Sequence, residues 1–345
     1  MIAFWTTRRN AYPVSAYRAA TLRSQVERAC LHFFYEDWLD QRPEHWQHLP
    51  SALHIFSDIE FLSAQEANRA AALHGVLSGA GSRVLNHPHR SLKRLALHQK
   101  LRADGINQFR SFAVDEVDPR VLRFPVFLRA ANDHLGARSG LLKNAAELAE
   151  AIASSRAQIE RDGDWIVSEY CETADASGLR HKFAAFNIGG VIIPKHLFFS
   201  NAWSIKDPEL DSAALLARER DYLETNPHRA WLADVFARAG IEYGRIDYSL
   251  VGEQLQVWEI NTNPMVFRQG QWWSNRAAHH RLVNRAVERA WQSLDALQPV
   301  RGRWQWQRLR AFPAVAESLA RESVKHALSR RRAWWRALRR LGRAG

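Results

Sequence analysis

The stretch that decides the fold runs from Arg245 to Pro264 and reads RIDYSLVGEQLQVWEINTNP. Two runs rich in β-branched and aromatic residues are separated at Gly252, a pattern that predicts a β-hairpin. Three polar side chains interrupt runs that otherwise favour burial: Asp247, Glu259 and Asn261. A buried carboxylate must be paired, protonated or bound to a metal. Oxygen ligands of this kind suit Mg²⁺, which takes one or two carboxylates together with substrate phosphates.

The length of the hairpin loop decides whether these polar side chains meet. Successive residues of a strand point to opposite faces of the sheet, so Glu259 and Asn261 share a face. A loop of three residues places Asp247 opposite Glu259 and Arg245 opposite Asn261. A turn of two residues instead places Asp247 opposite Trp258, because a slip of one residue moves every side chain to the other face. We therefore predict the longer loop, with a bulged conformation at or beside its glycine.

The order Arg-x-Asp, short hairpin, Glu-Ile-Asn-x-Asn-Pro resembles the metal-binding end of the ATP-grasp superfamily. D-Alanine–D-alanine ligase, glutathione synthetase and the ribosomal-protein glutamate ligases belong to that superfamily, and the resemblance covers roughly residues 53–264. It implies that Asp247, Glu259 and Asn261 hold one or two Mg²⁺ ions on the phosphates of ATP, with Mn²⁺ as an alternative metal. It also implies that Arg245 steadies the transferred phosphoryl group. An ordinary hairpin with a structural salt bridge from Arg245 is the alternative interpretation.

The bulk composition is that of a soluble globular protein, with 46% hydrophobic and 24% charged residues in a chain of 345. This length holds two or three sub-domains. The two cysteines, Cys30 and Cys171, provide neither a disulfide framework nor a metal-binding spacing, which favours a reducing compartment. The amino terminus lacks the apolar core of a signal peptide, and no apolar run reaches the length of a membrane span. We therefore expect a cytoplasmic protein.

The formal net charge of +12 is concentrated near the end of the chain. Residues 301–345 contain 13 Lys and Arg against 2 Asp and Glu, a net +11, which leaves +1 for residues 1–300. The nearly neutral body argues against a nucleic-acid-binding domain. The tail repeats apolar residues at helical spacing among arginines, which is typical of a basic amphipathic helix at an anionic membrane surface, here the inner face. An acidic partner protein, nucleic acid, or packing against the body are the alternatives.

The order of predicted elements divides the chain into four parts. Residues 1–50 are predicted to form a helical amino-terminal segment, and residues 51–120 alternate strand and helix, which is typical of a small parallel sheet. By resemblance, residues 121–297 form the ATP-grasp domain, in which two antiparallel sheets clamp ATP. Residues 298–345 form the basic amphipathic helical tail. The predicted fold class is therefore α/β (α+β) of ATP-grasp type, between a parallel-sheet domain and a helical tail.

The resemblance assigns several residues to the phosphates of ATP. The family has a strand lysine that binds the α- and β-phosphates, and Arg129 takes its place here. Arginine keeps the charge, and its fork geometry suits phosphate. The loop that follows, with Gly136 and Ser139, is expected to close over the phosphates. Arg94 lies nearest the position of a helix lysine that touches phosphate in the family. A surface loop and an exposed helix face are the alternatives.

The strand from Asp164 to Cys171 matches the family's hinge over adenine. The resemblance implies that backbone groups of Tyr170 and Cys171 read the edge of the base and that Glu169 lies by its amino group. Glu172 or Asp175 would then bind the ribose hydroxyls. For the apolar residues of this strand, simple core packing is the alternative.

Two lysines complete the predicted site. Lys182 lies on a hairpin strand from which related ligases direct a basic residue to the acceptor or the γ-phosphate. A cation is needed there because phosphoryl transfer spreads negative charge over the equatorial oxygens. Lys206 lies in an irregular segment typical of a lid. The predicted catalytic residues are therefore Arg245, Arg129 and Lys182, with a solvated strand face as the alternative for Lys182.

The resemblance implies an ATP- and Mg²⁺-dependent ligase. A carboxylate is phosphorylated to an acyl phosphate, releasing ADP, and an amine then displaces phosphate to form an amide. The carboxylate and amine substrates are not specified by the sequence. A phosphotransferase on the same fold is one alternative. A non-catalytic ATP-binding protein recruited through its basic tail is another, since Arg129 replaces the usual lysine.

Overall fold

The computed structural model describes residues 2–23, 30–266 and 275–296, and these form one parallel and two antiparallel sheets. The elements of the first region are β1 (Ile2–Thr6), α1 (Tyr12–Arg23), β2 (Cys30–Phe34), α2 (Tyr35–Trp38), α3 (Pro43–Trp46), β3 (Leu53–Phe56), α4 (Ala64–Gly79), β4 (Val84–Leu85) and α5 (Arg94–Ala103). The strands form a parallel sheet in the order β2-β1-β3-β4.

The segment 1–50, which the sequence predicts to be helical, contributes two strands to this sheet, so that prediction is wrong. Ile2 pairs with Cys30 on one side and with Leu53 on the other. Every residue of β1 is buried. A strand covered on both faces carries a continuous apolar run instead of an alternating one, and this run gives no helical periodicity. Within the described residues, the longest helix of this segment is α1.

The alternation of strand and helix predicted after residue 51 is confirmed. Ser63 caps α4, since its side chain accepts a hydrogen bond from the Glu66 amide at 3.3 Å. Glu66 in turn accepts one from the Ser63 amide at 2.8 Å. This capping box fixes where α4 starts, directly after a short 3-10 helix, Ile59–Phe61.

The two antiparallel sheets predicted for the second half are also confirmed. The three-stranded sheet, in the order β5-β7-β6, contains β5 (Ser111–Ala113), β6 (Val126–Ala130) and β7 (Trp165–Glu169), with α6 (Ala145–Ser154) and α7 (Arg156–Asp162) between the last two. The four-stranded sheet, in the order β11-β10-β8-β9, contains β8 (Arg180–Ile188), β9 (Val191–Ser200), β10 (Tyr243–Val251) and β11 (Gln254–Asn261). Its helices are α8 (Ala213–Thr225), α9 (Arg229–Ala239) and α10 (Ala277–Ala296).

A shared apolar core holds the four-stranded sheet against the parallel sheet. Phe4 of β1 lies 5.7 Å from the ring of Tyr243 and 5.9 Å from that of Trp291, between ring centroids. Phe186 and Ile193 of the four-stranded sheet belong to the same buried cluster. Burial of large side chains at about 25 cal/mol per Å² fixes this junction firmly. The β10–β11 hairpin is thereby held at the edge of the parallel sheet.

Every helix in the part of the chain that the structure describes is too short or too polar to cross a membrane. The predicted basic tail, residues 298–345, lies outside the described residues.

Candidate active site

The β10–β11 hairpin brings the predicted polar side chains together, although by a different route from the one predicted. The turn has two residues, since Val251 pairs with Gln254, so the predicted three-residue loop is wrong. The register shifts instead at a bulge beside Asp247, where Trp258 is the extra residue. Asp247 therefore lies opposite Glu259, as predicted. Arg245 lies opposite Asn261, so all four share one face.

Buried groups hold the bulge in place. The Trp258 carbonyl lies 2.8 Å from Nε2 of His98. Burial lowers the pKa of His98 to about 3, so its ring is neutral at physiological pH and donates from one nitrogen. The Trp258 ring also stacks on Phe109, with centroids 5.1 Å apart. These contacts come from residues about 150 positions away in the sequence. The hairpin sequence considered by itself therefore gives the wrong loop length.

Asp247 is 2% exposed and is bonded to two cations. Arg245 donates from Nε to Oδ1 at 2.8 Å, and the Lys182 Nζ lies 2.9 Å from Oδ2. Lys182 also donates to the Ile205 carbonyl at 3.2 Å, which directs its side chain across the sheet toward the lid segment. Lys182, predicted separately from the hairpin, thus forms one cluster with Arg245 and Asp247.

Glu259 forms a second buried cluster. Its Oε2 accepts hydrogen bonds from Arg94 and, at 3.1 Å, from Arg129, while the His134 Nδ1 lies 3.6 Å from Oε1. Burial favours a raised pKa for Glu259, but Arg94, His134 and Arg129 outweigh it and hold the pKa well below its usual range. The carboxylate is therefore ionised at neutral pH, which a metal ligand requires.

The third predicted metal ligand, Asn261, points its Oδ1 to the Asn263 backbone amide at 2.7 Å. The Asn263 side chain donates to the Asn10 carbonyl at 2.7 Å. The intervening Thr262 donates its hydroxyl to Glu60, beside the parallel sheet. This segment is therefore anchored to the amino-terminal region.

The donor chemistry fits a hard cation that is shared with phosphate. Two carboxylates face one another beside an amide oxygen, and Mg²⁺ prefers this set when substrate oxygens complete its shell. Among the residues that the structure describes, no three His, Cys, Asp or Glu side chains are grouped to hold a metal by themselves. The buried Nε atoms of Arg94 and Arg129 have no hydrogen-bond partner there. An oxyanion such as phosphate would satisfy that of Arg129.

A pocket of about 360 Å³ lies between the two antiparallel sheets and includes both clusters. Within the described part of the chain, the charged residues that line the pocket include three more basic side chains than carboxylates. The residues are Arg129, Arg180, Lys182, Lys206 and Arg245 against Asp247 and Glu259. An excess of positive charge in a concave site favours a polyanion. We call this cavity the nucleotide pocket.

Two loops meet over the nucleotide pocket. Gly136 has φ +90°, and a Cβ built there would lie 3.0 Å from the Lys206 Cε. The predicted glycine loop and the predicted lid lysine are therefore in contact. Ser139 is not among the lining residues; its hydroxyl bonds to the Leu128 amide at 2.9 Å and to the Gly140 carbonyl at 2.8 Å. Its predicted phosphate contact is therefore replaced by a role in anchoring the loop.

Only part of the strand that was predicted to contact adenine lies at the pocket. Tyr170 and Cys171 line it, but the buried Glu169 carboxylate is bound by Arg110 and Arg123. Burial favours a raised pKa for Glu169, yet these two arginines lower it. This carboxylate is therefore committed to structural ion pairs instead of the predicted adenine contact. Both arginines lie more than 40 residues earlier in the chain, so the local motif could not reveal the pairing.

Two other predicted ATP contacts are also placed differently. Glu172 bonds to Arg180 at 2.8 Å, and this pairing overcomes burial to lower the pKa of Glu172 to about 2. Glu172 is not a lining residue, whereas Arg180 is. Arg94 lies behind Glu259 and donates to the Ala130 and Ala131 carbonyls at 3.0 and 2.7 Å. Arg94 thus supports Glu259 from below the pocket.

The aromatic wall of the pocket was missed by sequence reasoning. The Trp203 ring lies 5.3 Å from Phe127 and 6.1 Å from Tyr170, between centroids, which gives one end of the pocket an aromatic wall. The position of Trp203 in the irregular lid segment was the available signal. His134 lies between Glu60, to which its Nε2 is bonded at 3.2 Å, and Glu259, and these two carboxylates overcome burial to raise the pKa of His134 to about 9.

No protein-family model matches the chain, and no curated protein sequence matches it. The structure is similar to solved structures that share little sequence with it. D-Alanine–D-alanine ligase from Bacillus anthracis is 13% identical, with 86% of this chain and 98% of that chain covered and a TM-score of 0.49.

Two further solved structures show the same level of similarity. ATP-grasp ligase PsnB, complexed with a minimal precursor, is 11% identical, with coverages of 83% and 98% and a TM-score of 0.47. A RimK domain ATP-grasp protein from Sphaerobacter thermophilus is 16% identical, with coverages of 84% and 98% and a TM-score of 0.44. The last two of these solved structures are described as ATP-grasp proteins.

Proposed function

We propose that this protein is an ATP- and Mg²⁺-dependent ligase of ATP-grasp type that activates a carboxylate for attack by an amine. One observation carries the proposal. Asp247 and Glu259 lie opposite each other on a buried strand face, inside a pocket between two antiparallel sheets whose lining is otherwise basic. Paired carboxylates among cations suit a metal-bound triphosphate better than a neutral ligand.

The proposed reaction has two steps. A carboxylate oxygen of the acid attacks the γ-phosphorus of ATP, the bond from that phosphorus to the β–γ bridging oxygen breaks, and ADP leaves. The amine nitrogen then attacks the acyl carbon, phosphate leaves with the electron pair of the broken C–O bond, and the nitrogen loses a proton. The products are an amide, ADP and inorganic phosphate. No side-chain nucleophile is required.

The residues of the site divide this work by charge. Arg129, Lys182 and Arg245 are positioned to neutralise negative charge that spreads over the transferred phosphoryl oxygens. Asp247 and Glu259, with Asn261 beside them, would hold Mg²⁺. When bound, the metal supplies charge neutralisation on the phosphates and fixes their orientation. Lys206 and the Gly136 loop close the pocket from the lid side and exclude water.

The test is an acyl-phosphate trap. The full chain is incubated with Mg²⁺-ATP, hydroxylamine and a pool of carboxylic acids, and both ADP and hydroxamate are measured. Hydroxylamine replaces the unidentified amine, so we expect acid-dependent ADP release together with a hydroxamate. Asp247→Asn should abolish both products. Asp234→Asn, an exposed carboxylate in a surface pair on α9, is the matched control and should retain them.

A second candidate function is ATP binding without turnover. The observation that favours it is the placement of Arg129, which occupies the position of the family's phosphate lysine but is bonded to Glu259 at 3.1 Å. Calorimetric binding of Mg²⁺-ATP, with no hydroxamate from any acid in the pool, would favour this function. Phosphorylated acid that accumulates without an amine would instead indicate a phosphotransferase.

A further inference from the structure

A second cleft, with a volume of about 920 Å³, lies on the other side of the Gly136 loop from the nucleotide pocket. Its walls come from three regions: residues 60–68, residues 88–93, and the loop 130–138 together with residues 161–164. Cavities of about 300–1,000 Å³ are typical of ligand sites. The cleft is therefore large enough for a substrate in addition to the nucleotide.

The two cavities are connected through a shared wall. Leu135 and Gly136 face the nucleotide pocket, whereas Asp133 and Arg138 of the same loop line the second cleft. A narrow cavity of about 10 Å³ shares Glu60 and Lys93 with the second cleft and His134 with the nucleotide pocket. A group bound beside Lys93 is therefore adjacent to the place where the phosphates would lie.

Lys93 presents a cation without a carboxylate partner. Its Nζ donates to the Leu62 carbonyl at 2.8 Å, and no carboxylate in the described part of the chain lies within 4.0 Å of it. Burial lowers the pKa of Lys93, while Asp164, Glu60 and Glu66 oppose this effect. A ligand carboxylate would stabilise the half-buried ammonium by a charge-assisted hydrogen bond.

The remaining charges of the cleft show what else the ligand must carry. Arg138 is bonded to Asp133, and Glu66 is used by the capping box of α4, so these groups are committed within the protein. Arg9 lies 4.0 Å above the Phe61 ring and is exposed at the rim. Asp164 is exposed in the wall formed by residues 161–164. Arg161 and Glu60 also line the cleft, and Glu60 is bonded to His134 and Thr262. The accessible groups include the cations Lys93 and Arg9, which suit a carboxylate, and the acid Asp164, which suits an ammonium.

We propose that the second cleft binds the carboxylate substrate, and that this substrate is a zwitterion of amino-acid or short-peptide size whose carboxylate is held by Lys93. Asp164 binds its ammonium group. The assignment of this ligand as the substrate rests on the proposed ligase function. The side chain next to Lys93 in sequence, Arg94, supports Glu259, so the start of α5 contributes to both cavities.

The experiment is saturation-transfer NMR on the full chain. The probes are an equimolar mixture of the twenty amino acids and a mixture of twenty Ala-X dipeptides, all with free termini. The same mixtures with amidated carboxyl ends are the negative probes. We expect signals from the free-carboxylate mixtures alone, and a loss of about ten- to a hundredfold in affinity for the best probe in Lys93→Gln.

Matched variants separate charge recognition from a general loss of structure. Lys93→Arg should retain affinity within a few-fold, and Asp164→Asn should weaken binding of the free dipeptide but not of its N-acetylated form. Lys100→Gln removes an exposed lysine of the same helix and should change nothing. Thermal melting monitors the folding of each variant. If Lys93→Gln is unfolded, the affinities of Lys93→Arg and Asp164→Asn decide whether the proposal holds. Equal signals from amidated probes, no signal from free ones, or full affinity in a folded Lys93→Gln would overturn the proposal.

Binding of Mg²⁺-ATP to the same samples distinguishes the two proposals. A dipeptide bound through Lys93 in a protein that neither binds nor turns over ATP would refute the ligase function and leave the cleft assignment intact. Hydroxamate formation that is unchanged in Lys93→Gln would establish the ligase and refute the role of the cleft.

Discussion

Replacing Glu259 with glutamine tests the electrostatic account of the site. The substitution keeps the size of the side chain and its capacity to accept a hydrogen bond, but it removes the charge that Arg94, Arg129 and His134 surround. The side chains of Arg94 and Arg129 are only 4% and 10% exposed, so water cannot replace the lost carboxylate. Two buried guanidinium groups would then face each other without an anion between them.

The expected cost follows from that burial. Removal of one partner from a buried ion pair costs about 3–5 kcal/mol. Glutamine still accepts one hydrogen bond, so we expect Glu259→Gln to lower the free energy of unfolding by about 3 kcal/mol. The matched control is Glu172→Gln, because the Glu172 side chain is 52% exposed and its pair with Arg180 is screened by solvent. Exposed pairs contribute about 0.2–1 kcal/mol.

The same reasoning predicts a gain in anion binding. Without the Glu259 charge, Arg129 in the pocket lining is available to an added polyanion, so pyrophosphate in the absence of Mg²⁺ should bind Glu259→Gln more tightly than the unmodified chain. Ligand at a hundred times its dissociation constant would restore about 2.7 kcal/mol of stability. Mg²⁺-dependent turnover should be lost. The measurements are urea unfolding with and without pyrophosphate, and calorimetry. A stability loss below about 1 kcal/mol, or weaker pyrophosphate binding in the variant, would refute the reasoning.

Three further predictions concern the loop, a buried acid and the tail. Gly136→Ala should weaken ATP binding more than Gly163→Ala, measured by calorimetry, because both glycines have positive φ but only the first would place a Cβ against Lys206. Burial raises the pKa of Asp58 to about 6. Its contribution to stability is therefore complete below the pKa of the unfolded chain, near 3.9, and is lost as pH rises through 6. In Asp58→Asn, the free energy of unfolding in urea should change less between pH 4 and 7, by about 2–3 kcal/mol. Deletion of residues 301–345 should abolish sedimentation with anionic vesicles, and retained binding would refute the membrane interpretation.

The polar face of the hairpin could be predicted from sequence because it depends on local periodicity, whereas the two antiparallel sheets were expected from the family resemblance. Asp247 and Glu259 were expected to face each other, and they do. The turn length was not predictable in the same way. Gly252 accommodates a tight turn with φ +59°, and the register is restored by a bulge whose contacts with His98 and Phe109 come from a distant segment. Burial of the polar face against other residues decides the register more strongly than the loop does.

Charged side chains were harder to place than strands. Glu169 occupies the expected strand position, yet Arg110 and Arg123 capture its carboxylate from outside the motif. A sequence pattern specifies which face a side chain lies on, whereas the choice among several cations depends on tertiary distances of 3 to 4 Å. The amino-terminal strands were missed for a different reason, since a buried parallel strand has no alternation to distinguish it from a helix.

An arginine at position 129, where the family resemblance places a lysine, has a physical reason in the burial of this position. Burial, with the neighbouring charge of Arg94, lowers the pKa of Arg129 from its ordinary value to about 10, and the side chain stays charged at neutral pH. A lysine begins about two units lower, near 10.4. In the same surroundings it would approach neutrality and bind phosphate poorly. Arginine therefore preserves the cation in a site that already contains a second buried guanidinium.

This argument predicts the behaviour of Arg129→Lys. Its affinity for Mg²⁺-ATP should match that of the unmodified chain near pH 6.5 and fall progressively by pH 9, because the lysine loses its proton over that range. The unmodified chain should show no such decline from this residue. Calorimetric titrations at several pH values provide the measurement, with Arg218→Lys, which lies outside the pocket lining, as the control. Parallel pH profiles for Arg129→Lys and the unmodified chain would show that a lysine keeps its charge at this position, and the burial argument would then be wrong.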